Sequence, residues 1–160
     1  MSLFINYPSW ISPYVIKGLP IRWYAVMYVF AFATAYILFM GLLKEKENRD
    51  IKKESAEDLF IYCVIGLLIG ARLGSCLFYD DALYYLSHPW LIFWPFDKIG
   101  KGMKFTGLAG MSYHGGVIGG IIGMSIWCWK HKKPLLKWSD VMAVAVPCGY
   151  TFGRIGNFMN

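Results

Sequence analysis

The chain alternates between apolar runs and short charged or aromatic segments, and four such runs stand out. The first extends from Ile21 to Leu43 and the second from about Leu59 to Tyr79. The third extends from about Tyr113 to Trp129, and a shorter fourth from about Trp138 to Phe152, with Pro147 inside it. Crossing a bilayer takes about 20 mostly apolar helical residues, and proline is tolerated there because neighbouring groups re-satisfy the freed backbone. The pattern predicts an all-α, polytopic integral membrane protein. Its four transmembrane helices fall at 21–43, 59–79, 113–129 and 138–152, within a single transmembrane domain over residues 1–160. Between the second and third runs lies Ala82–Phe105, rich in aromatics and broken by Pro89, Pro95, Gly100 and Gly102. It is too interrupted to span and too apolar for water, so it is expected to lie along the outer interface.

Composition strengthens the membrane reading. Hydrophobic residues make up 57% of the chain and charged residues 16%, against roughly 25% charged in soluble domains. Mean hydropathy is +0.43. Too few polar residues remain to cover a water-soluble core. The net charge of +6 does not point to nucleic acid, because the basic residues gather in short segments between apolar runs, as juxtamembrane charge does. The loops after the first and third runs hold nine Lys and Arg: Lys44, Lys46, Arg49, Lys52, Lys53, Lys130, Lys132, Lys133 and Lys137. The N-terminal segment and the middle loop hold five: Lys17, Arg22, Lys98, Lys101 and Lys104. The positive-inside rule places the first set in the cytoplasm. The N-terminus, the Ala82–Phe105 stretch and the C-terminal end then face outward. The N-terminal stretch has Pro8 and Pro13 and no basic start, so it does not read as a signal peptide.

This topology gathers polar groups from distant parts of the chain at the outer ends of the runs. Arg72, inside Gly70-Ala71-Arg72-Leu73-Gly74, lies about two turns from the outer end of its run. An arginine at that depth costs from ~2.5 kcal/mol upward and usually marks an anion partner or a pathway, unless it snorkels to the headgroups. His114 begins the third run and precedes Gly115 and Gly116, which leave backbone open to a ligand; a neutral imidazole there can take a proton near neutral pH. Arg154, between Gly153 and Gly156, offers a planar fork suited to phosphate, with Asn157 and Asn160 as neutral donors one turn along. Gly66, Gly70 and Gly74 recur every fourth residue, as do Gly115, Gly119 and Gly123, with Gly116 and Gly120 beside them, a spacing that lets helix backbones approach. Asp80 and Asp81 read as structural, and Ser139-Asp140 as a helix N-cap. Cys63, Cys76, Cys128 and Cys148 show no ligand spacing and read as small buried hydrophobes, with no metal site.

Four ordered blocks then resemble one family. They are Ile21-Arg22-Trp23-Tyr24; Gly70-Ala71-Arg72-Leu73-Gly74 with Leu77-Phe78-Tyr79; Gly110-Met111-Ser112-Tyr113-His114-Gly115-Gly116; and Gly153-Arg154-Ile155-Gly156-Asn157-Phe158-Met159-Asn160. Together they resemble prolipoprotein diacylglyceryl transferase, a bacterial cytoplasmic (inner) membrane enzyme, and the final octapeptide resembles the family's signature. The resemblance runs from about Asn6 to the last residue. It implies transfer of the diacylglyceryl group of phosphatidylglycerol to the lipobox cysteine of a prolipoprotein signal peptide, with a thioether formed and glycerol phosphate released. The implied site opens to the outer leaflet. By this resemblance Arg154 binds phosphatidylglycerol with Asn157 as its companion, His114 is essential, and Tyr24 matters at the head of the first helix. Arg72 matches the second-helix arginine, whose role is less settled; Gly115 and Gly116 would border the substrate. No metal or other cofactor is implied. The family's chain continues well past the signature, so the sequence reads as an N-terminal portion.

The residue types suit that chemistry. Attack on a saturated carbon needs a thiolate, and a free thiol has a pKa of about 8.5 that apolar surroundings raise. A base or nearby cations must therefore favour deprotonation; His114, acting through Tyr24, is the expected base, and Arg154 and Arg72 are expected to hold the phosphate and neutralise its charge as the bond breaks. Two other readings compete. A channel or transporter subunit would use Arg72 and Arg154 to line an anion pathway, but a pathway needs polar groups through both membrane halves. A membrane scaffold with snorkelling arginines would accept lysine at 154.

Overall fold

The computed structural model describes residues 12, 14–16, 22–44, 52–80, 82–99, 102–105 and 110–159. Helices dominate: α1 (Trp23–Leu42), α2 (Lys53–Phe78), α3 (Ala82–Ser87), α4 (Tyr113–Lys130) and α5 (Leu135–Phe158). A 3-10 turn covers Pro89–Ile92, and strands β1 (Phe96–Ile99) and β2 (Gly102–Phe105) follow it. The residues form two compact units, one of Met1–Lys52 with Leu136–Asn160, the other of Lys53–Leu135.

Two helices, α1 and α2, are long and apolar enough to cross a membrane. α1 is apolar around its whole circumference, and only Ala35 and Phe39 on it are buried. Val29 and Ile37 are 68% and 67% exposed, a surface that only lipid makes affordable. α2 begins at Lys53, well before its apolar run, because backbone hydrogen bonding carries the helix through Lys53-Glu54-Ser55-Ala56-Glu57-Asp58; Lys53 and Glu57 pair across one turn at 3.5 Å. Glycines in α4, and Lys137, Asp140, Pro147 and Arg154 in α5, dilute the apolar character of those two helices. At about 1.5 Å per residue they reach roughly 27 and 36 Å.

The unit of α1 and α5 is an antiparallel pair. Phe39 lies beside Trp138, Phe30 stacks on Phe152 at 6.1 Å, and a side chain at Gly149 would meet Ala35. α5 starts just after Pro134, whose missing N–H costs nothing at a helix entry. Ser139 and Asp140 therefore sit inside the helix, and the expected N-cap there is corrected. The helix also runs on through Phe158, so the last residues of the described chain are helical where the apolar run ended at Phe152.

In the second unit α2 and α4 meet along their glycines. A Cβ at Gly119 would stand 2.8 Å from the Gly70 Cα, and one at Gly74 would stand 2.8 Å from the Gly115 Cα. Gly116 and Gly120 are different: their nearest neighbours would lie at 3.5 and 3.8 Å. At the far end of this pair the Lys130 ammonium donates to the Tyr62 hydroxyl at 3.0 Å, which raises the lysine's pKa. The all-α expectation needs one correction. Within the Ala82–Phe105 stretch β1 and β2 pair antiparallel, with Phe96 opposite Phe105 and Ile99 opposite Gly102. Among the cysteines, Cys63, Cys76 and Cys128 are buried as expected, but Cys148 is exposed.

Candidate functional site

The polar residues singled out from the sequence fall into both units, and each unit holds its own cluster. In the α2–α4 unit the centre is Arg72, only 5% exposed. Burying a charge demands partners. Its Nε donates to the Ile92 carbonyl, its Nη1 donates to the Gly110 carbonyl at 3.4 Å, and its guanidinium lies 5.7 Å from the centre of the Tyr85 ring. Hydrogen bonds from charged donors are worth about 1.5–3 kcal/mol each and a cation–π contact about 0.5–2 kcal/mol, enough to hold the charge in place.

One turn along, the Ser75 hydroxyl donates to the Asp80 carboxylate at 3.2 Å. The chain then returns through Gly110, whose φ of +81° is open to glycine at little cost. Ser112 caps α4: its hydroxyl accepts from the Gly115 N–H at 3.0 Å. Its own N–H donates to the Ala71 carbonyl at 2.8 Å, which fastens the head of α4 to α2. His114 follows in the first turn of α4, exposed, with Nδ1 3.4 Å from the Tyr79 hydroxyl and the Tyr113 ring edge-on. When Nδ1 carries the proton and donates to Tyr79, the Nε2 lone pair is left to accept another. Gly115 packs on Gly70 and Gly74, and Gly116 is buried against Ala71 and Leu67. Gly115 serves the helix seam, whereas a Cβ at Gly116 would make only ordinary contact.

In the α1–α5 unit the two ends that carry motif residues lie together. A side chain at Gly156 would stand 2.8 Å from the Met27 Cβ and 3.4 Å from the Tyr24 Cα, so α5 presses its last turns on the first turns of α1. The Tyr24 hydroxyl is paired with that of Tyr28 at 2.9 Å, the two rings edge to face. Gly153 and Gly156 are buried, whereas Arg154 and Asn157, three residues apart on the helix, are exposed. One face of the octapeptide thus packs and the adjacent face presents a guanidinium with an amide beside it. Arg22 caps the start of α1 in extended conformation, its guanidinium 5.8 Å from the Tyr14 ring. Asn160 lies outside the described residues.

Several members of these clusters are not evident from the sequence. The carbonyls of Ile92 and Gly110, the Tyr85 ring, Ser75 and Tyr28 gave no motif. Ser112 did carry a signal, a serine directly before an apolar helical run. No cluster of His, Cys, Asp and Glu suited to a metal occurs among the described residues.

Comparison with known proteins bears on what these clusters are for. A model of the family described as prolipoprotein diacylglyceryl transferase matches residues 13–160. The phosphatidylglycerol--prolipoprotein diacylglyceryl transferase of Treponema denticola is 47% identical over 169 aligned residues, covering 100% of this chain and 50% of that protein. The proteins of the same name from Treponema pallidum and Campylobacter lari are 45% and 42% identical, covering 99% of this chain in both cases. The chain spans about half the length of these curated relatives. The family match takes in every motif residue described above, and on that ground the chain belongs to the prolipoprotein diacylglyceryl transferase family.

Proposed function

We propose that the chain takes part in moving the diacylglyceryl group of phosphatidylglycerol onto the lipobox cysteine of prolipoprotein signal peptides in the bacterial cytoplasmic membrane. The cysteine gives up its proton, its sulfur bonds to the glyceryl carbon, and the carbon–oxygen bond to phosphate breaks. Glycerol phosphate leaves with the bonding electrons. The products are a thioether and an anion, so the site must supply a proton acceptor and a cationic hold on phosphate.

The observation that carries this reading is the last two turns of α5, where Gly153 and Gly156 are buried while Arg154 and Asn157 are exposed together. A guanidinium held on a rigid helix can give two parallel hydrogen bonds to a phosphate, and the Asn157 amide adds a neutral donor beside it. Asn160 extends that set on the sequence pattern alone. His114 is the proton acceptor in this reading, with Nδ1 engaged by Tyr79. Tyr24 contributes a hydroxyl at the head of α1, next to the packed Gly156. Gly115 acts by letting α4 close on α2, and Gly116 stands beside that seam.

The membrane arrangement belongs to the same proposal. Residues 1–160 form one transmembrane domain of four spans, α1, α2, α4 and α5, with the basic loops in the cytoplasm. Tyr24, His114, Arg154 and Asn157 stand at helix ends remote from those loops in sequence, toward the outer leaflet. The test is transfer of labelled diacylglyceryl from phosphatidylglycerol to a lipobox peptide, in an active enzyme carrying this sequence. His114→Gln should abolish thioether formation while the protein remains folded in the membrane. Near-normal transfer by that variant would remove His114 from the mechanism.

A further inference from the structure

We propose that Arg72 is a positioning residue: it clasps the chain at Ile92 and again at Gly110 to α2 and so sets where His114 stands, and it does not hold the lipid phosphate. The inference rests on the reading of His114 as proton acceptor.

The partners of Arg72 make the case. Nε bonds the carbonyl of Ile92, 20 residues away, and Nη1 the carbonyl of Gly110, 38 residues away. Ile92 closes the 3-10 turn after α3, and Gly110 precedes the head of α4. One buried guanidinium therefore gathers the two ends of the chain between them. The Tyr85 ring of α3 covers it from a third direction.

The Gly110 end is seated closely. A Cβ there would lie 2.6 Å from the Ser75 hydroxyl and 3.5 Å from both Arg72 Nη1 and the Asp80 carboxylate. Ser75 is in turn engaged with Asp80. Two residues on, Ser112 bonds the Ala71 carbonyl and caps α4; three after that, Gly115 meets Gly74. Residues 110–115 are thus fastened to residues 70–75 at every turn of chain, and His114 sits within the fastened stretch. A phosphate reaching the 5%-exposed Arg72 would compete with the Ile92 and Gly110 carbonyls, and the buried Ile92 would lose its charged donor, a costly exchange.

Two variants test this in an active enzyme carrying this sequence, reconstituted in bilayers with phosphatidylglycerol and a lipobox peptide. Arg72→Gln removes the charged fork; Gly110→Ala unseats the same turn, chiefly against the Ser75 hydroxyl, while the guanidinium is kept. For both we expect kcat to fall roughly ten- to a hundred-fold, as for loss of a charged hydrogen bond. KM for phosphatidylglycerol should stay within about threefold, since phosphate binding is assigned elsewhere. Hydrogen exchange at the Ser112 amide should quicken in both. A tenfold or greater rise in KM for Arg72→Gln with Ser112 exchange unchanged would assign Arg72 to the phosphate and overturn the proposal. Unchanged Ser112 exchange in both variants would overturn it as well. Exchange needs no turnover, so it decides the clasp even where transfer fails in the parent, a failure that counts against the functional reading alone.

Discussion

Placing a methyl group at Gly119 should break the α2–α4 pair, whereas placing it one residue on, at Gly120, should not. At Gly119 the new Cβ would overlap the Gly66 carbonyl and stand 2.8 Å from the Gly70 Cα. Both obstacles are backbone, so no rotamer change relieves them and the helices must move apart. At Gly120 the nearest atom would be the Cys63 carbonyl oxygen at 3.8 Å, an ordinary contact. Forcing an extra carbon into a packed seam costs about 1–3 kcal/mol, and a gap of 0.5–1 Å forfeits a quarter to a half of each facing dispersion contact. Gly to Ala within a helix returns about 0.8–1.0 kcal/mol through propensity. Gly119→Ala should therefore be destabilised by up to about 2 kcal/mol, and Gly120→Ala should be neutral or up to about 1 kcal/mol more stable. Unfolding in mixed micelles with rising dodecyl sulfate, followed by tryptophan fluorescence, gives both values against the parent. Equal stability for the two variants, or a more stable Gly119→Ala, would refute the seam as the reason for the glycines.

Two further outcomes follow from the polar residues and the charge pattern. Arg154→Lys keeps the charge but loses the planar fork, so transfer and phosphatidylglycerol binding should fall by about 1.5–3 kcal/mol, roughly ten- to a hundred-fold or slightly more; wild-type turnover in that variant would favour a snorkelling arginine. A cysteine at position 46 should resist membrane-impermeant reagents added to intact cells while one at position 101 reacts, in a background without the exposed Cys148; labelling at 46 from outside would reverse the orientation.

Apolar patterning located the helices but misjudged their ends, for a physical reason. Hydropathy reports where lipid is the solvent, and a helix continues past that limit as long as its backbone bonds are met. α2 thus starts six residues before Leu59, and α5 carries Arg154 and Asn157 within its final turns. The glycine rows were legible because a four-residue spacing falls on one helix face; that the two rows face each other, and that Gly116 and Gly120 have more room, depends on rotation about the helix axes. The strand pair in the Ala82–Phe105 stretch was missed because aromatics and lone glycines suit interfacial chain and strands alike. Arg72, His114, Arg154 and Asn157 were identifiable as polar residues among apolar ones. Their partners were mostly not: Tyr79 lay in a motif block, but carbonyls of Ile92 and Gly110 have no residue-type signature, and the tyrosines at 28 and 85 resemble the other interfacial aromatics.

The glycine seam also bears on where this molecule has freedom to move. Packed side chains can trade one rotamer for another, and helices that meet through them can slide or rock in small steps. Where Gly66, Gly70 and Gly74 meet Gly115, Gly119 and Gly123, the surfaces in contact are backbone, with no side-chain torsions to exchange. α2 and α4 are joined as one stiff body over that length, and the head of α4 inherits its stiffness. In the proposed reaction, the acceptor nitrogen of His114 is thereby carried on a mount with little play, the condition under which proton transfer to a fixed point gains most from orientation.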